Sequence, residues 1–304
     1  MPRPSSLDFF NEQDSPELAA TFTPEVVTQL ATLEAGVAMG MRDLSDTRAA
    51  TIRTLEAAGV PVTAWVLLPR DEGYFATHDN APSIEAACAR LREWSADHHL
   101  SLSSIGLDFE PDLRDLDQLM VKPLRTVGRW MFRRGRLPVL EAAARRYQTL
   151  IDTLRAAQWR VETYQFPFVV DDRRFASRFW QRTLGALAVD ADREVVMLYS
   201  SLLPAGHGML SHYAPHCRAI AVGSTGGGID PLPKLSWAEL ERDLLTAAAH
   251  APHVFVFSLE GCVAQQVLGR LASFDWNRPA PASFAQRLGG RSVVTLAQAL
   301  ARWF

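Results

Sequence analysis

The sequence predicts a single-domain (β/α)8 barrel, and three observations lead there. Strand-like apolar runs alternate with amphipathic helical periods along the whole chain, seven units clearly and an eighth weakly, which is the pattern of a parallel α/β fold. Two of those runs end in acidic residues, as barrel strands do when their C-terminal ends carry a site. The length of 304 residues also accommodates the roughly 250 residues of a barrel plus insertions. An open doubly wound parallel sheet is the alternative arrangement of the same units. No internal repeat or low-complexity linker divides the chain, so residues 1–304 read as one domain.

Taken in order, residues 1 to about 33 read as a loop and a leading helix, with Thr23-Pro24-Glu25 as its cap. Ala35 to Met41 is the first predicted strand. Ser45 caps a helix that Gly59 closes. Val60 to Leu68, rich in β-branched and aromatic residues, is the second strand. The polar loop Arg70 to Asn80 is long for a strand-to-helix connection, and such loops carry binding groups. Ser83 opens a helix in which Ile84, Cys88, Leu91 and Trp94 keep the 3.6-residue period.

Ser103 to Asp112 is the third predicted strand, and the rest of the chain is organised around it. Alternation puts Ile105, Leu107 and Phe109 on one face and Ser104, Gly106, Asp108 and Glu110 on the other. The apolar face suits contact with covering helices, and the acids emerge at the mouth. Pro111 cannot donate to the ladder and ends the pairing. Residues 112–137 follow as an irregular basic insertion. Lys122, Arg125, Arg129, Arg133, Arg134 and Arg136 are interleaved there with Trp130, Met131 and Phe132, which makes segment 122–136 a candidate site for an anionic ligand or a partner.

Pro138 to Gln158 is a strong helix, and Val161 to Val170 the fourth strand, with Asp171-Asp172 able to cap the helix behind it. Glu194 to Ser201 and Arg218 to Val222 are the fifth and sixth strands. Ser236-Trp237-Ala238-Glu239 is a capping box. The seventh strand begins at His253; Phe255, Phe257 and Leu259 share one face, while Val256, Ser258 and an inward-pointing Glu260 share the other. A helix over 263–271, a short eighth strand over Leu271–Trp276 and a helix over 292–303 complete the count.

Composition narrows the function classes. A formal net charge of -3 argues against a general nucleic-acid binder. No apolar run approaches the roughly 18 residues of a membrane span, and no signal peptide is visible. Cys88, Cys217 and Cys262 form neither a zinc pattern nor a disulfide framework and read as buried small hydrophobes. A cytoplasmic enzyme without a metal or other cofactor is the expectation.

Two strand-end acids on one face repel and raise each other's pKa, which keeps one carboxyl protonated near neutrality, as a general acid requires. Asp108, Glu110 and Glu260 are therefore the catalytic candidates. Tyr74, Tyr164, Tyr199 and Asp275, at other predicted strand ends and loops, are candidates for substrate binding. The Gly223 to Gly228 loop reads as a turn, lacking the lysine and spacing of a phosphate loop. His212 and His216 have helical i, i+4 spacing, but Pro215 between them speaks against a metal pair.

Leu107-Asp108-Phe109-Glu110 resembles the strand motif of barrel glycoside hydrolases. It is similar to the D-x-E ending of the family 18 chitinase signature, D-G-x-D-x-D-x-E, and of the family 25 lysozymes. Ser103 and Gly106 stand where the chitinase pattern has its first two aspartates, so the chain reads as a divergent relative. The resemblance implies that Glu110 protonates a glycosidic oxygen, while Asp108 orients a substrate acetamido group or tunes Glu110. A carbohydrate or glycoconjugate is the implied substrate. The alternatives are a divalent-metal-dependent sugar isomerase or aldolase using the same three acids, and a non-catalytic carbohydrate-binding barrel.

Overall fold

The computed structural model describes residues 3–102, 104–110, 137–202, 206–227 and 232–279. Eight parallel strands close into a barrel in chain order: β1 Ser6–Asn11, β2 Ala35–Met41, β3 Val62–Val66, β4 Ser104–Phe109, β5 Arg160–Gln165, β6 Arg193–Met197, β7 Ala219–Gly223 and β8 His253–Phe257. The predicted fold class is thus the observed one. The strand that closes it differs. β1 lies in the stretch expected to be loop, and pairs with both β2 (Leu7 opposite Ala35) and β8 (Leu7 opposite Val254). Leu271–Trp276 is no strand, because its start belongs to a short helix.

The described helices are α1 Ser15–Thr21, α2 Pro24–Thr32, α3 Asp46–Ala57, α4 Ala81–Asp97, α5 Leu137–Ala156, α6 Phe168–Phe175, α7 Phe179–Leu184, α8 His207–Tyr213, α9 Trp237–Ala248, α10 Leu259–Ala264 and α11 Val267–Ala272. Their ends follow local chemistry. Thr23, Ser45 and Ser236 accept the backbone N–H of Val26, Arg48 and Glu239, as N-caps do. The expected fourth strand is cut short: β5 stops at Gln165, and Pro167 starts α6, whose Val169 and Val170 had read as strand. Asp172 caps from within α6, accepting from Trp180 N (3.2 Å) and Gln181 N (2.8 Å) at the start of α7. The basic insertion and the helix over 292–303 lie outside the described residues, except that Leu137 already belongs to α5.

Two apolar layers result. Ile105, Leu107, Phe109, Val254 and Val256 face the surrounding helices. Phe10, Trp65, Tyr164, Met197, Phe255 and Phe257 fill the lumen, so the barrel is a packed core and its usable surface lies at its ends. Phe10 is the hub, with its ring 4.8 Å from Tyr164, 5.2 Å from Trp65 and 5.5 Å from Phe255. The three cysteines are buried and unbridged. Among the described residues no helix is long and apolar enough to cross a membrane.

Candidate active site

β4 delivers its acids as its alternation dictates. Ile105, Leu107 and Phe109 pack under the helices, leaving Ser104, Gly106 and Asp108 on the lumen side. Thr63 and Ser104 share a hydrogen bond of 2.6 Å at the lower end, and Asp108 sits at the upper end, opposite Tyr164 in register. Glu110 follows just beyond the strand. The loop after β3 folds over this edge: Ala76 N–H donates to the Asp108 carbonyl (2.8 Å) and Leu68 N–H to the Tyr74 carbonyl (2.8 Å).

A third acid joins them from a direction the sequence did not reveal. Glu12 directly follows β1 and accepts a 2.5 Å hydrogen bond from the Tyr74 hydroxyl. The connection that holds Glu12 is itself anchored. Arg48, fully buried, donates to the carbonyls of Gly40 (2.8 Å) and Gln13 (3.0 Å) and pairs with Asp43 at 2.9 Å.

Crowding of the three acids sets their electrostatics. Burial raises the Asp108 pKa well above the carboxylate range, and the charges of Glu110 and Glu12 raise it further. Burial, then the charge of Glu12, pushes Glu110 up to about 8. The indole N–H of Trp65 opposes the rise at Asp108, yet Trp65 Nε1 and Asp108 Oδ1 both lack a hydrogen-bond partner among the described residues. Buried polar atoms are ordinarily satisfied, and these two are neighbours, so the Trp65 indole is the neutral group that bears on the Asp108 carboxyl. Tyr199, two residues past β6, is close enough to Asp108, Glu110 and Glu12 for all three to raise its pKa, after burial. Its ring packs 5.7 Å from Phe257.

The other sequence candidates fall elsewhere. Glu260 is not an inward strand residue: β8 ends at Phe257, and Phe255 and Phe257, not Val256, face the lumen. Ser258 caps α10 by accepting Gly261 N–H (3.3 Å), which places Glu260 in the first helical turn. There it accepts from Asn11 Nδ2 at 3.0 Å and lies against Gly227, where any Cβ would strike its side chain. The charges that raise Asp108 are those of Glu110 and Glu12, and the charge that raises Glu110 is that of Glu12; Glu260 acts on neither. Tyr164 stands beside Asp108 in register, but its hydroxyl turns down the lumen to Glu162 Oε2 (3.3 Å). Asp275 is exposed beyond α11 and binds its own turn through Asn277 N–H (3.0 Å); no strand forms there to carry it to the mouth. Three amides of the Gly223–Gly227 stretch are spent internally, Ser224 N on Ser201 Oγ, Thr225 N on the Phe257 carbonyl and Gly226 N on Ser224 Oγ. The His212 and His216 rings lie 6.4 Å apart across the end of α8. Among the described residues no three His, Cys, Asp or Glu side chains are grouped to hold a metal ion.

Fold and site together define a (β/α)8 barrel with a carboxyl cluster at the C-terminal mouth. No protein-family model and no curated protein matches the sequence. Solved structures do match. The PgaB (BpsB) glycoside hydrolase domain from Bordetella bronchiseptica gives a TM-score of 0.52 at 10% identity, over 89% of this chain and 98% of that one. A chitinase from Chromobacterium violaceum gives 0.51 at 13% identity, over 89% and 99%. A GH18 chitinase from Pseudoalteromonas aurantia gives 0.51 at 8% identity, over 89% and 100%. At these identities the likeness is one of fold: this chain shares the barrel of chitinases and other glycoside hydrolases.

Proposed function

We propose that the protein is a glycoside hydrolase-like enzyme acting on a carbohydrate or glycoconjugate, with Glu110 as general acid. The carrying observation is a mouth carboxyl raised to about 8 by burial and by Glu12. At neutral pH such a group holds a proton and can give it to a leaving glycosidic oxygen. As the C–O bond breaks, positive charge develops on the sugar ring, and the Glu12 charge that raises Glu110 also stabilises it.

Asp108 suits a second task. One of its oxygens has no hydrogen-bond partner, so it can take a substrate N–H or O–H and orient the sugar next to Glu110. The glycoside hydrolases with this fold and the D-x-E strand ending support the same reading. Tyr199 and Tyr74 flank the carboxyls and line the sugar's approach. Glu260 acts on this site indirectly, through Asn11, by fixing the end of β1 that carries Glu12. Proton transfer between carboxyls and substrate needs no cofactor, and the unbridged buried thiols accord with a cytoplasmic setting.

The test is Glu110→Gln assayed on a panel of aryl glycosides and oligosaccharides. The substitution keeps shape and removes the proton. Turnover falls by about 100-fold or more while oligosaccharide binding persists. Unchanged turnover sinks the acid role. Saturable binding by the wild-type protein without hydrolysis of any panel member identifies a binding barrel instead.

A further inference from the structure

The end of the barrel opposite the acids has the opposite charge. A cavity of about 860 Å³ opens there, and its wall is built from the lower ends of four consecutive strands. Each enters with a basic residue: Arg160 starts β5, Arg193 starts β6, Arg218 immediately precedes β7 and His253 starts β8. Their proximity is visible at His253, whose pKa is lowered by burial and then by Arg193, Arg160 and Arg218. Arg173 and Arg174 on α6 close the rim.

The acids at this end, Glu162 and Glu194 in the wall and the buried Asp8 behind it, act on Arg193, Arg173 and Arg160 but are fewer than the basic groups of the wall. Arg193 is paired with Glu162 at 2.8 Å, and Arg173 with Glu194 at 2.6 Å. Asp192 is held from outside by Arg155 on α5, at 3.1 Å. Among the described residues the Arg160 and Arg218 guanidiniums have no ion pair, and Arg174 has only the face of Phe175, 5.6 Å away. Exposed guanidiniums with no ion pair keep their N–H donors free for an anion that enters the cavity.

We infer that this cavity is an anion site for a compact ligand bearing phosphate groups, independent of the carboxyl mouth. Guanidinium forks match phosphate oxygens in pairs, which a single carboxylate would not fully use. The wall holds no Phe, Tyr or Trp, so recognition rests on the phosphates and not on stacking of a base or sugar ring. The volume falls in the range of small-molecule pockets, larger than one inorganic phosphate fills.

Isothermal titration of the full chain with inorganic pyrophosphate at low salt tests this. One saturable site is expected. The double variant Arg160→Ala/Arg218→Ala weakens it by about tenfold or more, the loss of charge-assisted hydrogen bonds. Both side chains are exposed and unpartnered, so that variant keeps its fold and melting temperature. A control pair, Arg90→Ala/Arg145→Ala, removes the same charge from exposed positions on α4 and α5 and changes affinity less than about twofold. No saturable binding overturns the site, and so does equal weakening by the two doubles, which would mean a diffuse charge effect.

Discussion

The Tyr74 hydroxyl donates to Glu12 Oε1 at 2.5 Å and so ties the loop after β3 to the residue just past β1. Tyr74 takes a left-handed backbone (φ 58°) and is almost fully buried, so the loop is bent specifically to deliver this phenol. Burial, then Glu12, raises its pKa well above the usual phenol value, and it stays a donor at any working pH. Tyr74→Phe should therefore lower stability by roughly 1–3 kcal/mol, the range for a buried group losing its partner. Urea unfolding read by circular dichroism checks it; an unchanged midpoint would mean that Glu12 is held by its other contacts alone.

Glu12→Gln should shift catalysis towards acid. Its charge is the second cause, after burial, of the raised Glu110 pKa. Removing that charge lowers the pKa below about 8, but not to the ordinary carboxylate value of 4.5, because burial remains. The basic limb of kcat/KM against pH should move to lower pH accordingly. A limb that stays in place separates Glu12 from the acid.

The same shifts fix how stability depends on pH. Asp108 and Glu110 have folded-state pKa values above their unfolded ones, so the proton binds more tightly to the folded chain. Their stabilising contribution is complete below the unfolded carboxylate range and is lost as pH rises, for Glu110 between 4.5 and about 8. Melting temperature should fall across that window in the wild type and fall less in Glu110→Gln. Parallel curves for the two proteins would rule out Glu110 as a source of the slope.

How far the sequence exposed this site depends on which strands alternate. β4 has acids and small residues on one face and large apolar residues on the other, so its direction was legible. β8 is apolar on both faces, as strands buried in a parallel barrel are, and Phe255 and Phe257 were assigned to the helix side although they fill the lumen. That error carried Glu260 inward with them, when Ser258 in fact caps a helix there. β1 escaped because Phe9 and Phe10 are adjacent large residues serving different layers, which hides the period of two. A signal did exist: Leu7-Asp8-Phe9 repeats Leu107-Asp108-Phe109, and each is followed by an acid near the strand end. Closure of the barrel, which brings the end of β1 within electrostatic reach of the end of β4, is a non-local relationship that no local pattern encodes.

Gly106 shows how the two ends of the barrel are kept apart. It lies between Ser104 and Asp108 on the lumen face, opposite Glu162 in register, and the Tyr164 ring occupies the space its side chain would take. A Cβ at this position would meet the Tyr164 hydroxyl and lie 2.7 Å from two of its ring carbons. Tyr164 cannot withdraw, since its ring is wedged between Phe10 and Trp65 at 4.8 and 6.1 Å. Gly106→Ala should thus overpack the lumen and cost roughly 1–3 kcal/mol. The strain falls directly below Asp108 and next to Trp65, so the variant should also disturb the mouth, lowering turnover even where the chain stays folded. Trp fluorescence and urea unfolding measured together with activity check both halves. A variant as stable as the wild type would mean that Tyr164 has room to move, and that the acid mouth and the basic floor are not separated by a rigid plug.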